Sequence, residues 1–487
     1  MIKETTKDNI YLAQFSLSIM PGNLMFMPYA AASVWSYAQT HDDIKEKYNC
    51  KEIFFEKVQP DEVVASLVNP KIFAFGCYVW NCNYTDVVAK KVKEKYPDCL
   101  IVYGGPHLPL DPPGSVTTKM SPADHNGAEH GDWWDKHDYV DVTIYYEGEK
   151  RFTKILQCSS KEEMAMIPNV SVNLDSGWTW NLDYTAVGKD RIKDLSLIPS
   201  PYLLGLFPNV QPNHIPIMET TRGCPYACTF CDLGALNHNK VYKTELSRVQ
   251  EELDWLVENK LGSFYYVDNN FGLFKERDDT IVDMVIASKK KHGYPKSFFV
   301  NWAKNHKSEF INMAKKLYDA DILQSLCLSL QTRNTEVLSI VKRGGFGIND
   351  LDFYIDKCKD IDLPYSTELI IGNPGETVKS WKEGYIEVVR KEVACDIYAV
   401  AVLPASELAS EESRKKFELE TEFVYFPGVA NPKFRPVKEY MEQIVSTKWM
   451  NRDEMRDTVK WTWCTRLGHE FNFTRELANY CETHNII

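Results

Sequence analysis

Apolar positions in the first part of the chain alternate between short dense runs and stretches where they recur every three or four residues. The dense runs Ile10–Phe15, Glu52–Phe55, Lys71–Val79, Cys99–Tyr103 and Val140–Tyr145 predict strands. Helical spacing marks Tyr29–Gln39, opened by Pro28, then Asp61–Val68, Tyr84–Lys95 and Glu149–Gln157. Five strands alternating with helices predict a parallel, doubly wound α/β domain over residues 1–158. Ligands of such sheets sit at the carboxyl ends of the strands, near the point where the strand order reverses. A polar stretch rich in Gly, Pro, Asp and His, Asp111–His137, interrupts the series before its last strand. A loop of that length inside a compact domain carries function or disorder. Residues 159–212 show little periodicity and are expected to form a linker.

A second alternating series follows over residues 213–412. Its expected strands are Ile215–Glu219, Ser263–Asp268, Ser297–Trp302, Gln324–Leu330, Tyr365–Ile371 and Asp396–Leu403. Helical patterns separate them at Glu245–Glu258, Asp279–Lys290, Lys307–Tyr318, Thr335–Val341 with Asp350–Lys359, and Val378–Arg390. Six βα units predict a partial (β/α)6 barrel with its chemistry at the carboxyl ends of the strands. Residues 413–487 are charged and aromatic and are expected to be mainly helical, with Arg452–Trp463 as the central helix.

Composition narrows the partners more than the fold. The chain has 487 residues, 44% of them hydrophobic and 25% charged, an ordinary globular balance that excludes collagen-like and largely disordered chains. With 56 basic and 68 acidic residues the formal net charge is −12, which predicts no non-specific nucleic-acid binding. No window reaches the roughly 18 uninterrupted apolar residues of a membrane span. The polar start Met1–Asn9 has no apolar signal core, so a soluble, cytoplasmic protein is expected. Thirteen cysteines, an odd and dispersed set, point to a thiolate–metal site in a reducing compartment rather than a disulfide framework.

Three of those cysteines lie together in Thr221-Arg222-Gly223-Cys224-Pro225-Tyr226-Ala227-Cys228-Thr229-Phe230-Cys231-Asp232, just after an expected strand. Thiolates are the soft ligands of iron–sulfur clusters, and three in one loop hold three irons of a cubane while leaving the fourth open. A structural zinc site wants four closed ligands, for which Asp232 or His238 would have to complete the set. Cys50, Cys77, Cys82, Cys99, Cys158, Cys327, Cys358, Cys395 and Cys481, nine of the other ten, fall mostly on predicted elements and read as small hydrophobes.

The cysteine spacing, with Tyr226 and Phe230 between the ligands, resembles the signature of the radical S-adenosylmethionine (SAM) enzymes. The resemblance implies a [4Fe-4S] cluster on Cys224, Cys228 and Cys231 whose open iron binds the amino and carboxylate groups of SAM. It extends over residues 195–410. Asp268-Asn269-Asn270-Phe271-Gly272 is similar to the D-x-N-F segment ending the family's second strand. Gln331 stands where the family places a polar group near SAM. Ile371-Gly372-Asn373-Pro374-Gly375-Glu376-Thr377 resembles the segment near the adenine, and Leu403-Pro404-Ala405-Ser406-Glu407 resembles a P-G-T-E segment with Ala405 in place of the glycine. The resemblance thus implies SAM contacts from Tyr226, Phe230, Asp268, Asn270, Gln331, Gly372, Pro374, Glu376 and Pro404. Several have a plainer alternative: a turn for Gly372, Pro374 and Gly375, strand-end caps for Asp268 and Asn270, and a satisfied core amide for Gln331; Arg222 and Arg343 read equally as carboxylate binders or as structural ion pairs.

The first 158 residues resemble the domain of the cobalamin (B12)-binding radical SAM enzymes, which places a Rossmann-like cobalamin-binding domain ahead of the barrel. The resemblance rests on Tyr78-Val79-Trp80-Asn81, Tyr103-Gly104-Gly105-Pro106-His107 and Val140-Asp141 with Glu147-Gly148-Glu149, and on Ile198–Tyr202 as the lead into the barrel. It implies cobalamin contacts from Tyr78, Trp80, Asn81, Gly104, Gly105, Pro106, His107, Glu147 and Gly148. Paired glycines also let a backbone approach a flat ligand closely. The D-x-H-x-x-G segment of cobalamin mutases is missing: Gln14–Leu24 has neither Asp nor His, and Asp135-Lys136-His137 stands in the wrong place. Cobalamin is therefore expected without a histidine ligand from the protein.

What the resemblance implies is a cobalamin-dependent radical SAM methyltransferase. One SAM would yield a 5′-deoxyadenosyl radical that takes hydrogen from an unactivated substrate centre. Methylcobalamin would deliver the methyl group, a second SAM would restore it, and an external donor of the flavodoxin or ferredoxin type would supply electrons. The alternatives are a cyclase or rearrangement enzyme with the same cofactors, or a non-catalytic binding protein. Neither the substrate, small molecule or peptide, nor a catalytic side chain is readable. His125, His130 and His137 in the insertion match no metal-site spacing and read as a solvated loop or substrate lid. Trp461, Trp463, Cys464 and His469 read as core packing before a substrate cleft.

Overall fold

The computed structural model describes residues 7–16, 18–19, 24–112, 133–183, 190–233, 240–304, 309–344, 348–426, 437–470, 481 and 483. Its first nine strands are β1 Asp8–Ala13, β2 Ser18–Ile19, β3 Leu24–Phe26, β4 Tyr48–Phe54, β5 Pro70–Gly76, β6 Leu100–Gly104, β7 Val142–Ile144, β8 Val170–Leu174 and β9 Gly177–Trp178. Seven of them form one sheet in the order β4-β1-β5-β6-β7-β8-β9, the first five parallel. Alternation along each strand divides its side chains between two cores. Tyr11, Phe73, Phe75 and Ile101 meet the helices Pro60–Ser66 and Cys82–Lys95 on one face. Ile10, Leu12, Ile72 and Val102 meet Tyr29–Ala38 and Glu149–Gln157 on the other. Both faces are covered, so the strands are apolar throughout.

Two segments depart from expectation. Part of the expected linker joins this sheet: β8 and β9 run antiparallel at its edge, because Val170 and Val172 present one buried face beside β7. The stretch after β1 does not serve that sheet. There β2 and β3 pair antiparallel, and β3 pairs parallel with β10, His214–Ile215, the first strand of the second half.

The second half continues with β11 Ile217–Met218, β12 Thr221–Arg222, β13 Tyr242–Lys243, β14 Ser263–Phe271, β15 Ser297–Trp302, β16 Leu326–Gln331, β17 Tyr365–Ile371 and β18 Ala394–Ala399. Pro216 divides the expected first strand because it has no N–H for the ladder. Parallel pairing runs in sequence order as β11-β14-β15 and β16-β17-β18, with helices on the outside. The outer core includes Leu253, Leu256, Ile281, Val285, Phe310, Leu317, Tyr354 and Tyr385.

The C-terminal part is mixed rather than mainly helical. Glu411–Phe417 and Arg452–Glu470 are helices, and β19 Glu420–Tyr425 pairs antiparallel with β20 Tyr440–Ser446. On the last helix Trp461 meets Tyr385, while Trp463 and Cys464 face solvent, so the core-packing expectation holds for Trp461 only. No helix among the described residues is long and apolar enough to cross a membrane.

Glu439 ties this C-terminal part back to the first sheet. Its carboxylate accepts from the N–H groups of Asn83 (2.9 Å) and Tyr84 (3.1 Å) in the first turn of the helix Cys82–Lys95, and Lys57 Nζ lies 3.2 Å away. Lys57 and Glu439 are almost fully buried, at 4% and 0% side-chain exposure. A carboxylate at a helix N-terminus satisfies donors that the helix leaves open. Glu439→Gln should leave the Lys57 charge buried without its partner and cost about 3–5 kcal/mol. Thermal unfolding should register that loss, with cleavage of the β19–β20 hairpin by dilute protease earlier than in the wild type. Lys57→Met combined with Glu439→Leu should recover part of the stability.

Candidate active site

The cysteine loop is shaped by the end of β14. Three successive residues there each hold one part of it. Asp268 accepts from the backbone N–H of Thr220 (2.8 Å) and Thr221 (2.9 Å) and from the Thr220 hydroxyl. Asn269 Nδ2 donates to the Gly223 carbonyl at 3.2 Å, and Asn270 Nδ2 to Cys224 Sγ at 3.3 Å. Gly223 has φ +124°, and a Cβ there would overlap the Lys240 carbonyl oxygen, so only glycine fits. Thr229 N–H donates to the Val341 carbonyl and Leu408 N–H to that of Thr229, both at 3.0 Å.

Cys224 and Cys228 are buried and Cys231 is half-buried. Among the described residues no three His, Cys, Asp or Glu side chains converge on a single-ion position. His238, invoked above for a zinc alternative, lies outside the described residues. The Tyr226 hydroxyl donates to the Lys304 carbonyl at 2.7 Å, and Phe230 packs against the cluster of Val400, Val402 and Leu408. Two cations stand beside the loop. Burial, then the Arg343 charge, pushes the Lys304 amine down, and the three cysteine sulfurs oppose that shift. Arg343 donates to the Ser329 carbonyl at 2.5 Å, while its buried Nε has no partner among the described residues.

Several residues expected as ligands are committed to the fold. Asp268 is fully buried with three donors, and burial still pushes its carboxyl up to about 6. Its strand-end alternative is the one the geometry realises. Glu376 is likewise buried, accepting from Thr332 Oγ1 (2.8 Å) and Ser380 Oγ, which joins the turns after β16 and β17. Gly372 (φ +93°) and the turn through Pro374 and Gly375 are packed by Met455 and Ile340. Gln331 ends β16 at φ +76°, a left-handed conformation costly for a non-glycine residue, beside the loop edge expected near SAM. Pro404 lines a cavity described next.

That cavity, roughly 90 Å³, lies at the carboxyl ends of β5 and β6. Cys77, Asp86, Tyr103 and His107 line it from the first sheet, and Pro404, Arg414 and Glu442 from the C-terminal side. Burial pushes the His107 imidazole down to about 4, leaving it neutral at pH 7. Just past β5, Tyr78 and Trp80 stack at 4.5 Å, both half-buried, and Gly104 and Pro106 flank Gly105 in the turn after β6. Other expected contacts here are spent. All of Asn81's amide bonds go to the backbone of Phe15, Gly76 and Tyr78. Gly105 (φ +105°) makes room for the Cys77 carbonyl, which a Cβ would approach to 2.5 Å, so the close approach is to protein backbone. Gly148 abuts Val34. His137 stacks on Trp133 at 4.0 Å and meets Asp86 at 3.2 Å, which makes it structural; His125 and His130 lie outside the described residues.

The two halves meet at Arg222, two residues before Cys224. Its guanidinium is bidentate to Glu219 (2.8 and 2.7 Å) and lies 2.9 Å from Glu149 and 3.7 Å from Glu147. Burial opposes its charge, but Glu149, Glu219 and Glu147 outweigh that and raise its pKa. Glu147 also accepts from Arg191 Nε at 2.9 Å, and Arg191 donates to the carbonyls of Lys240 and Arg222. The side chains of Glu147 and Arg222 thus take part in an inter-sheet ion cluster. Sequence reasoning missed Arg191, Thr220, Glu439 and Lys304. Only Lys304 had a signal, its place two residues past the carboxyl end of a predicted strand.

The comparisons with known proteins point one way. A profile described as the Radical SAM superfamily matches residues 218–385. The chain is 29% identical over 470 residues to the "Cobalamin-dependent radical SAM methyltransferase TokK" of Streptomyces tokunonensis, covering 93% of this chain and 65% of that protein. It is 28% identical over 472 residues to a "2-(S-pantetheinyl)-carbapenam-3-carboxylate methyltransferase" of Streptantibioticus cattleyicolor, with the same coverage. The chain thus spans about 65% of the length of the curated relatives it matches. Its fold superposes with TM-score 0.65 on the radical SAM methyltransferase TsrM of Kitasatospora setae, at 14% identity, covering 94% of this chain and 89% of that one. Another match is the cobalamin-dependent radical enzyme OxsB, with TM-score 0.54 at 13% identity, covering 84% and 56%. Residues 218–385 are thus similar to the Radical SAM superfamily, and TokK and OxsB, two of the proteins the chain resembles, are named as cobalamin-dependent radical SAM proteins.

Proposed function

We propose that the chain is a cobalamin-dependent radical SAM methyltransferase that methylates an unactivated centre of its substrate. The observation that carries this is the loop of Cys224, Cys228 and Cys231, held at the carboxyl ends of parallel strands and joined through Arg222 to the carboxyl edge of a doubly wound sheet. The donor set fits an open-iron cluster. Three thiol ligands stand in one loop, and an amide N–H already points at one sulfur. On the first sheet, Tyr78 and Trp80 offer stacked aromatic surface just past β5, on which a flat ligand can lie, and Cys77, Tyr103 and His107 line the cavity at the carboxyl ends of β5 and β6. The names of the relatives support both cofactors and the methyl transfer.

When bound, the cluster supplies the electron that splits SAM into methionine and a 5′-deoxyadenosyl radical, and cobalamin supplies the methyl group. The chain's own residues do the positioning. Lys304 and Arg343 provide positive charge beside the cysteines, suited to the SAM carboxylate. Burial, then the Asp232 charge next to Cys231, holds the Tyr78 hydroxyl above its ordinary pKa, so it stays a neutral aromatic group. Packing of Phe230 with Val402 and Leu408 shields the loop from water, which a carbon radical requires. The layout that goes with this reading assigns cobalamin to the first sheet, extended by β8 and β9, and the radical chemistry to β10–β18. An external donor of the flavodoxin or ferredoxin type completes it.

Anaerobic reconstitution of the wild type should give about four iron and about one cobalt per chain. Cys224→Ala and Gly223→Ala should each lose the iron while keeping the cobalt, the second because its Cβ cannot share space with Lys240. Trp80→Ala should weaken corrinoid binding about tenfold, as removal of about 1.4 kcal/mol of stacking requires, with iron unchanged. With the substrate in hand, SAM deuterated in its methyl group should yield a labelled product. Iron without cobalt would remove the methylcobalamin mechanism, and an unlabelled product would sink methyl transfer.

A further inference from the structure

We propose that Asn270 is a positioning residue that sets the reduction potential of the cluster through its hydrogen bond to Cys224. The inference rests on the cluster reading above and goes beyond it in assigning an electronic role to a side chain that sequence resemblance had set down as a SAM contact.

The geometry is specific. Asn270 is 95% buried at the end of β14, and its Nδ2 stands 3.3 Å from Cys224 Sγ. A metal-bound thiolate carries no proton, so it can only accept, and the amide must face it with its N–H. The other end of the amide has no compensation: Asn270 Oδ1 is buried and finds no partner among the described residues. Asn81 in the first sheet, by contrast, has both ends of its amide bonded to backbone. The two preceding residues already fix the loop, Asp268 through Thr220 and Thr221 and Asn269 through Gly223. The contact to sulfur adds little shape to a loop held at three earlier points.

What it adds is a dipole aimed at a ligand atom. One-electron reduction increases the negative charge shared by the cluster and its thiolates. An N–H pointing at sulfur stabilises the reduced form more than the oxidised form and raises the potential. Burial of Asn270 and Cys224 keeps water from screening that dipole. The effect makes the electron easier to accept from a donor of modest reducing power.

The test is an EPR-monitored redox titration of the reconstituted full chain, wild type against Asn270→Leu and Asn270→Asp. Asn270→Leu keeps the volume and removes the dipole. Asn270→Asp keeps the shape and replaces the donor with an acceptor and a negative charge. Both should retain wild-type iron content, and both should show a lower midpoint potential, with the larger shift in Asn270→Asp. An unchanged or higher potential in Asn270→Leu with the cluster intact overturns the proposal. Loss of iron from Asn270→Leu also overturns it, because the side chain would then be needed to build the loop. If Asn270→Asp alone loses iron, Asn270→Leu decides. A wild type that takes up no iron would instead overturn the function proposed above, so the two failures are distinct.

Discussion

A buried guanidinium joins the two halves of this molecule. Arg222 leaves the first residues of the cysteine loop and is met by Glu219 from its own strand end and by Glu147 and Glu149 from the far edge of the other sheet. Three carboxylates around one cation are stable only where more positive charge and backbone donors share the load. Arg191 and the Ile192 N–H provide that at Glu147. Burial raises the carboxyl pKa of Glu149, and Arg222 works against that shift. The strength of the cluster is thus mutual, and removal of one member leaves the others desolvated without compensation. Its position gives it consequence. Whatever orients Arg222 also orients Gly223 and Cys224, so the register between the sheets and the presentation of the first cysteine are one constraint.

Around that constraint the loop is built by a template. Three consecutive residues at the end of β14 engage Thr220, Thr221, Gly223 and Cys224 in chain order. Strand backbone is stiff, and a loop read off a strand end inherits its precision, as reactive cofactor positions require. Glu439 performs the same service on the opposite side, where the C-terminal segment meets the helix after β5. Two polar contacts distant in sequence therefore bracket the space between the sheets, and apolar packing through Phe230, Val402 and Leu408 fills what remains.

Residues that looked like ligands from the sequence divide into two physical kinds. Cys224, Cys228, Cys231, Tyr78, Trp80 and His107 keep reactive, aromatic or cavity-lining surface. Asp268, Glu376, Asn81, Gly105 and Glu147 have their polar atoms, or the space beside them, filled by protein. The second kind still belongs to the site in a looser sense. Such residues set the shapes of the loops from which the first kind projects.

Local pattern was enough to read the alternation of strands and helices, because a strand buried on both faces is apolar throughout and a covering helix repeats every three to four residues. Val378–Arg390, Ser297–Trp302 and Tyr365–Ile371 fall where their periodicity puts them. The cysteine loop was equally legible, since ligand spacing is a property of a short segment. Partnership across the chain was not. Nothing local tells Glu439 that it will cap a helix some 356 residues earlier in the chain, or Asn270 that its amide will meet the Cys224 sulfur. The strands β8 and β9 pair antiparallel at a sheet edge and interrupt the strand–helix alternation that marked the others, and β3 took a partner from the other half of the molecule. Side-chain type and spacing set which chemistry is present. Which polar atoms remain free for that chemistry depends on long-range contacts, because a buried donor or acceptor takes whatever partner the fold brings within reach.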